Sequence, residues 1–339
     1  MSDELALLRA RVDAILSRFF RGKRAACAAL DRLAPVIDAA EALTLRGGKR
    51  LRPALVVGGY ASVAPLVDLE PIAEAAACFE LLQTYLLIQD DWMDGDQVRR
   101  GGPTIHVRLL ERYPDEHRAS SVAILASDLS ASWAFEMLLA ARFAHDRLFA
   151  ALAGFQAMLE EVIYGQFLDV VGTEDVELVH LYKTAGYTVR WPLRIGAILG
   201  GASEAQLGAL DAFAKPCGLA FQLRDDLLGT FGDPAVTGKP ASSDLLAGKQ
   251  TALIFEARHR LDPAARAALE RVLGRGTASA AELDDARRAL ERCGARAAVE
   301  EALDRQLETA LLALQGSGLE AAGVRRLEAL ARLVVSRKT

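Results

Sequence analysis

Two short segments of this chain crowd carboxylates at the ends of otherwise apolar stretches. The first is Ile88-Gln89-Asp90-Asp91-Trp92-Met93-Asp94-Gly95-Asp96. On an ideal helix Gln83, Leu87, Asp90 and Asp94 fall along one narrow stripe, so Asp90 and Asp94 point the same way, one turn apart. Like charges at that spacing repel, and near a helix C-terminus they also face the negative pole of the helix dipole. The second segment is Phe221-Gln222-Leu223-Arg224-Asp225-Asp226-Leu227-Leu228-Gly229, where Gln222, Asp225 and Asp226 share a face. Two carboxylates about 5 Å apart cost roughly 3 kcal/mol at an effective dielectric of about 20. A cation shared between the two sets removes that cost. All-oxygen ligands suit Mg²⁺, especially where substrate phosphates complete the shell. The competing readings are a solvated acidic helix end for the first set and a buried pairing of the Asp225–Arg224 type for the second.

Basic residues stand beside glycines at two further places. Gly47-Gly48-Lys49-Arg50-Leu51-Arg52-Pro53 carries three cations, and Arg99-Arg100-Gly101-Gly102-Pro103-Thr104 carries two just past the first aspartates. Arg meets diphosphate oxygens with a planar fork and Lys with a point charge. Carboxylates for a metal-bound diphosphate, with separate cations for a metal-free one, imply two diphosphate substrates.

These groups need helices to hold them. Apolar residues recur with a 3.6-residue period almost throughout, and alternating runs are scarce. A helix is predicted from Pro71 to about Asp94, with Pro at its first turn. Turns are predicted at Gly47-Gly48, at 100–103, at 113–115 and at 232–234, helix starts at Glu204 and at Asp262-Pro263, and a loop over 275–281. The expectation is one all-α domain over residues 1–339, a bundle of about ten or more helices. Hydrophobic residues make up 52% of the chain, enough for a large core, and the net charge of -5 argues against a nucleic-acid partner. Cys27, Cys78, Cys217 and Cys293 show no metal-ligand spacing. The charged N-terminus lacks the apolar core of a signal peptide, and no run of 18 apolar residues occurs, so no transmembrane segment and a cytoplasmic location are expected. His106, His117, His145, His180 and His259 are scattered and read as structural or surface residues.

In order along the chain, GGKRLRP, DDWMDGDQVRRGGPT, Gly165-Gln166 with Asp169, Lys183-Thr184, FQLRDD, Gly238-Lys239 and Lys249 resemble the trans-isoprenyl diphosphate synthases of the polyprenyl synthetase family. The resemblance is clearest from Gly47 to about Thr251. It implies a short-chain enzyme of the geranylgeranyl or farnesyl diphosphate synthase kind, with an isoprenoid-synthase fold around a central cavity. Lys49, Arg52 and Arg100 would clamp isopentenyl diphosphate, with Gln83 where many relatives carry His. Asp90 and Asp94 would hold two Mg²⁺ ions and Asp225 a third. Arg99, Lys183, Lys239 and Lys249 would contact the allylic diphosphate (dimethylallyl, geranyl or farnesyl). Thr184 and Gln222 would lie beside the reacting carbons, with Asp169 and Asp244 in support. A homodimer is implied as well.

The sequence departs from the family pattern at Gly229, where many relatives carry a third Asp, and at Gln89, where His is commoner. Product length is expected at C15 to C20, leaning to C20. In the family a bulky residue five before the first Asp blocks the tunnel floor; here it is Tyr85, beside Leu86. An ideal helical wheel turns Tyr85 away from the Asp90–Asp94 stripe. A terpene cyclase, a head-to-head condensing enzyme and a non-catalytic helical scaffold are the alternatives. The GGKRLRP segment argues against the first two, since a cyclase needs one diphosphate site and head-to-head enzymes usually lack this segment. Mg²⁺-dependent diphosphate binding would exclude the third.

Overall fold

The computed structural model describes residues 2–173, 175–233 and 242–335, so Lys239 lies outside the described residues. In chain order the helices are α1 (Ser2–Ala26), α2 (Ala34–Leu45), α3 (Leu51–Ala61), α4 (Glu70–Met93), α5 (Ile105–Leu110), α6 (Glu116–Leu139), α7 (His145–Val171), α8 (Val176–Val179), α9 (Trp191–Gly200) and α10 (Glu204–Phe231). They continue as α11 (Ser243–Leu246), α12 (Ala252–Arg258), α13 (Pro263–Glu270), α14 (Ala280–Arg292), α15 (Ala295–Ala313) and α16 (Ala321–Val335). The one sheet among the described residues is a two-stranded hairpin, β1 (Val98–Arg99) with β2 (Gly102–Pro103). The expected all-α class holds.

Local chemistry sets the ends of the helices that matter. Asp115 caps α6, its side chain accepting from the Arg118 N–H. Ser203 and Gln206 form a reciprocal capping box at the start of α10. Asp262 caps α13, with Pro263 at its first turn. Pro71 stands in the first turn of α4, which begins one residue earlier than expected.

Helix α4 is the axis of the molecule. From Ile72 to Leu82 it is buried on nearly every side, as an apolar-all-round helix must be. It packs on α6 and on α3, inside one core cluster that draws from α1, α3, α6, α7, α9, α10, α15 and α16. Helices α3 and α9 meet along a glycine seam. A Cβ at Gly59 would stand 2.1 Å from the Leu193 carbonyl oxygen, and one at Gly196 would stand 1.9 Å from that of Val56. No other residue fits there, so glycine sets how closely the helices approach.

Between α8 and α9 the chain winds as a π-helix over His180–Arg190. Such windings are rare and usually confined to single turns, and they gather at functional sites. Here the winding carries Lys183 and Thr184. It packs on α7, where a Cβ at Gly165 would come within 2.3 Å of the Lys183 backbone nitrogen. By length and composition α4, α6 and α7 could each cross a membrane, although none is an unbroken apolar run of 18 residues. The apolar stretch of α4 is 72% buried inside the protein, whereas α6 and α7 keep large apolar side chains at the surface.

Candidate active site

The first aspartate cluster ends α4. Asp94 is the C-cap, its N–H bonded back to the Asp90 carbonyl. The chain then turns through Gly95 (φ 69°) into the hairpin, which brings Arg99 back over the cluster. Arg46, which the sequence reading did not single out, fixes that hairpin by donating to the carbonyls of Arg99 and Pro103 at 3.1 and 2.9 Å. Its position just before Gly47-Gly48 was the available signal.

The adjacent aspartates differ in placement. Asp91 is fully buried, with Arg99 Nε donating to its Oδ1 at 2.6 Å. Burial pushes the Asp91 carboxyl up to about 6, Arg99 opposing. Asp90 is part-exposed. Burial alone would raise it, but Lys183, Arg99 and Lys249 together hold it below the usual carboxylate range. Lys183 Nζ stands 3.1 Å from Asp90 Oδ1 and 2.5 Å from Asp169 Oδ2, with Arg99 Nη2 3.4 Å from Asp90 Oδ2. Lys183 therefore sits between α4 and α7 as the local countercharge. Despite that ion pair, Asp90 Oδ1 is buried with no aligned hydrogen bond. Burial, and then Asp90, push the Asp94 carboxyl up, with Lys249 opposing from 3.9 Å away.

The second cluster lies on α10 and divides the same way. Asp226 is buried, with Oδ1 accepting from Gln222 Nε2 and Oδ2 from the Ala252 N–H, both at 2.8 Å. Burial raises its carboxyl to about 6 even so. Asp225 remains part-exposed. Gln222, assigned by resemblance to the reacting carbons, here orients Asp226. Lys249 joins the two clusters, since its charge acts on Asp90 and Asp94 and also on Asp226.

The basic segment separates into distinct roles. Arg50, grouped with the phosphate cations in sequence, is fully buried and pairs with Asp13 of α1 at 2.7 Å and Glu80 of α4 at 2.5 Å. It is structural, and partners 37 and 30 residues away left no local signal. Arg52 is 92% buried, as its 8% exposure shows. Its Nη2 donates to Thr188 Oγ1 at 2.8 Å, its guanidinium lies 4.2 Å from the Tyr187 ring, and its Nε has no partner. A buried guanidinium N–H without an acceptor is costly unless an anion supplies one. Arg100 is part-buried on left-handed backbone (φ 52°). Burial lowers its pKa, and Arg50 and Arg52 add to the effect while Glu80 opposes it. Lys49 is exposed and borders an apolar crevice with Leu5, Leu51 and Val334. Gln83 and Thr184 are part-exposed. Tyr85 is buried at the contact between α4 and α6, its carbonyl accepting from Ser127 Oγ at 3.3 Å, and burial and Asp128 raise its phenol pKa. Leu86 packs partly buried against the main core.

Among the described residues no three His, Cys, Asp or Glu side chains converge to hold a metal unaided. That suits Mg²⁺, which typically takes one or two carboxylates and completes its shell with water and substrate phosphate. Asp90 Oδ1, buried and held in the free protein by Lys183 at 3.1 Å, is an oxygen of the kind Mg²⁺ takes.

The sequence pattern of the polyprenyl synthetase family matches residues 35–290. The chain belongs to the polyprenyl synthetase family. As a member it is a prenyltransferase. Over 262 residues it is 33% identical to a short chain isoprenyl diphosphate synthase of Methanocaldococcus jannaschii, covering 76% of each chain. It is 34% identical to a geranylgeranyl diphosphate synthase of Methanosarcina mazei, covering 79% of this chain and 81% of that one. A crystal structure of geranylgeranyl pyrophosphate synthase from Corynebacterium glutamicum, complexed with isoprenyl diphosphate and magnesium, superposes with a TM-score of 0.91. It shares 32% identity and covers 97% of this chain and 98% of that one.

Proposed function

We propose that this synthetase, acting as one domain, condenses isopentenyl diphosphate with an allylic diphosphate, dimethylallyl to farnesyl, and releases diphosphate and a C15 to C20 product, leaning to C20. The observation that carries this reading is the presence of two sets of charged residues, one built on carboxylates with their cations and one on buried or part-buried guanidiniums. Asp90, Asp94, Lys183, Arg99 and Lys249 form one, and Arg52 with Arg100 forms the other. The first suits a metal-bound diphosphate that must leave, and the second a diphosphate that only anchors its substrate.

Asp90, Asp94 and Asp225 are the residues that would hold Mg²⁺, three ions in this reading. Bound there, Mg²⁺ would stabilise the charge that develops on the departing diphosphate. Lys183, Arg99, Lys249 and Lys239 are assigned to that diphosphate's oxygens. In the free protein Lys183 neutralises Asp90 and Asp169, so its move to the substrate would free both carboxylates. Arg52, Arg100, Lys49 and Gln83 would fix isopentenyl diphosphate so that its double bond meets the allylic carbon, beside Thr184 and Gln222. Holding both substrates in register supplies proximity. The proton lost from the condensed product goes to the released diphosphate, so no protein base is needed.

Exposed apolar residues on α6 and α7, among them Leu125, Leu139, Phe149 and Phe167, support a homodimer through these helices. Sedimentation at micromolar concentration should give a dimer. A cytoplasmic location belongs to the same reading. The central test incubates the protein with Mg²⁺, labelled isopentenyl diphosphate and each allylic primer in turn. Linear prenyl diphosphates that vanish with chelator are expected. Cyclic hydrocarbons, or no product from any primer, would overturn the reading.

A further inference from the structure

Helix α7 presents one stripe to the winding over His180–Arg190. Gly154, Glu161 and Gly165 lie seven and four residues apart, so they share that stripe. Gly165 admits the backbone of Lys183, and a Cβ at Gly154 would stand 3.2 Å from Cζ3 of the Trp191 ring. Glu161 is the acid between the two glycines. Its Oε2 accepts from Trp191 Nε1 at 2.7 Å, and its Oε1 lies 3.4 Å from Arg190 Nη1. Arg190 has a second partner, Asp211 of α10, at 3.5 Å.

Trp191 is where the winding stops. Its backbone N–H closes the last wide turn on the Gly186 carbonyl, five residues back. Pro192 follows, and with no N–H it cannot extend the ladder. A wide winding is rare and persists only where its surroundings fix it. Gly165 fixes the Lys183 end, and Glu161 fixes the Trp191 end. An α-helix turns about 100° per residue, and the wider winding turns less. If the last turn tightened toward α, the difference would accumulate over the eight residues from Trp191 back to Lys183. The Lys183 ammonium would then swing away from Asp90, which it now meets at 3.1 Å.

We propose that Glu161 is a positioning residue: by accepting the Trp191 indole N–H it holds the winding in register, so that Lys183 faces the metal-bound diphosphate. This rests on the reading of the site given above. The indole bond carries the effect, because it is the shorter contact and Arg190 keeps Asp211 when Glu161 is lost.

Titration calorimetry of the full chain with Mg²⁺ and inorganic pyrophosphate tests the proposal without turnover. Glu161→Ala should weaken Mg²⁺-dependent pyrophosphate binding by about tenfold, the size of one lost charge-assisted contact. Trp191→Phe keeps a ring, drops the N–H and should match it. Glu161→Gln still offers an amide oxygen to the indole. It should stay within about threefold of the original chain, having given up only a part-exposed ion pair. The deciding measurement repeats Glu161→Ala in a Lys183→Ala background. There it should change binding by less than about twofold, because the residue it acts through is gone. A residue that merely stabilised the fold would weaken binding equally in both backgrounds. Circular dichroism at the titration temperature confirms that each variant is folded, and Trp191→Phe carries the same comparison if Glu161→Ala is not. Three results would overturn the proposal: unchanged binding by the folded Glu161→Ala or Trp191→Phe variant, a Glu161→Gln variant as weak as Glu161→Ala, or the same loss persisting without Lys183. If the unaltered chain itself shows no Mg²⁺-dependent pyrophosphate binding, the underlying reading of the site fails as well. That outcome is distinct from the other three.

Discussion

The ends of α4 and α10 solve one problem in two ways. Each carries an aspartate pair, and in each the first member (Asp90, Asp225) is part-exposed while the second (Asp91, Asp226) is buried. The partners of the buried member differ. Asp91 leans on a cation, Arg99, whereas Asp226 leans on neutral donors, the Ala252 N–H and the Gln222 amide. A doublet of aspartates is therefore two parts, a proposed metal ligand and a buried anchor, and the anchor's partner decides the electrostatics. At α4 the cation that holds the anchor also touches the ligand, since Arg99 reaches Asp90. At α10 the anchor joins the helix to the segment that brings Asp244 and Lys249.

Breaking the ligands should have the largest effect. Asp90→Ala and Asp225→Ala should each cut the condensation rate by roughly 10²–10³-fold or more with little loss of folding, as for other losses of charge stabilisation. Steady-state product formation checks this, and a variant that keeps near-normal rates would remove that residue from the ligand set.

Breaking the anchors should show in stability, and unequally. Asp91→Ala takes from Arg99 its buried partner, leaving only the more exposed Asp90 and Asp96, and should cost about 3 kcal/mol. Asp226→Ala leaves the part-buried Ala252 N–H without its acceptor and should cost about 1–3 kcal/mol. Urea unfolding of both variants measures the difference, and equal costs would erase the contrast between a charged and a neutral anchor.

The two charge systems can be separated next. Arg52→Ala should weaken isopentenyl diphosphate by about 2 kcal/mol and leave the allylic substrate nearly unaffected, with Lys249→Ala doing the reverse, as for other charge-assisted contacts. Substrate-specific KM values decide it. The smallest and most qualitative effect concerns Tyr85. In the proposed reading, Tyr85, buried where α4 meets α6, would form a side wall of the chain-length tunnel. Tyr85→Ala should lengthen the product by one or more C5 units, read by chromatography of the dephosphorylated alcohols. An unchanged distribution would remove Tyr85 from the tunnel.

Much of this was legible in the sequence because the signals were local. The Asp90–Asp94 stripe, the helix starts at Glu204 and Pro263 and the turn at 113–115 each depend on residues within a few positions of one another. What stayed hidden depends on distance. Arg50 looked like a phosphate cation because Asp13 and Glu80 are remote in sequence. The π-helical winding over 180–190 has no compositional signature. The close packing of Gly229 against Asp244 likewise depends on a segment that local spacing does not show.

The seam between α3 and α9 has a mechanical meaning. Arg52 stands in the first turn of α3, and Lys183 stands in the winding that runs directly into α9. With Gly59 and Gly196 in backbone contact, those two cations are mounted on what amounts to one rigid bar. The spacing of those two cations then becomes a machined tolerance, fixed by two hydrogen atoms where any other residue would put a β-carbon.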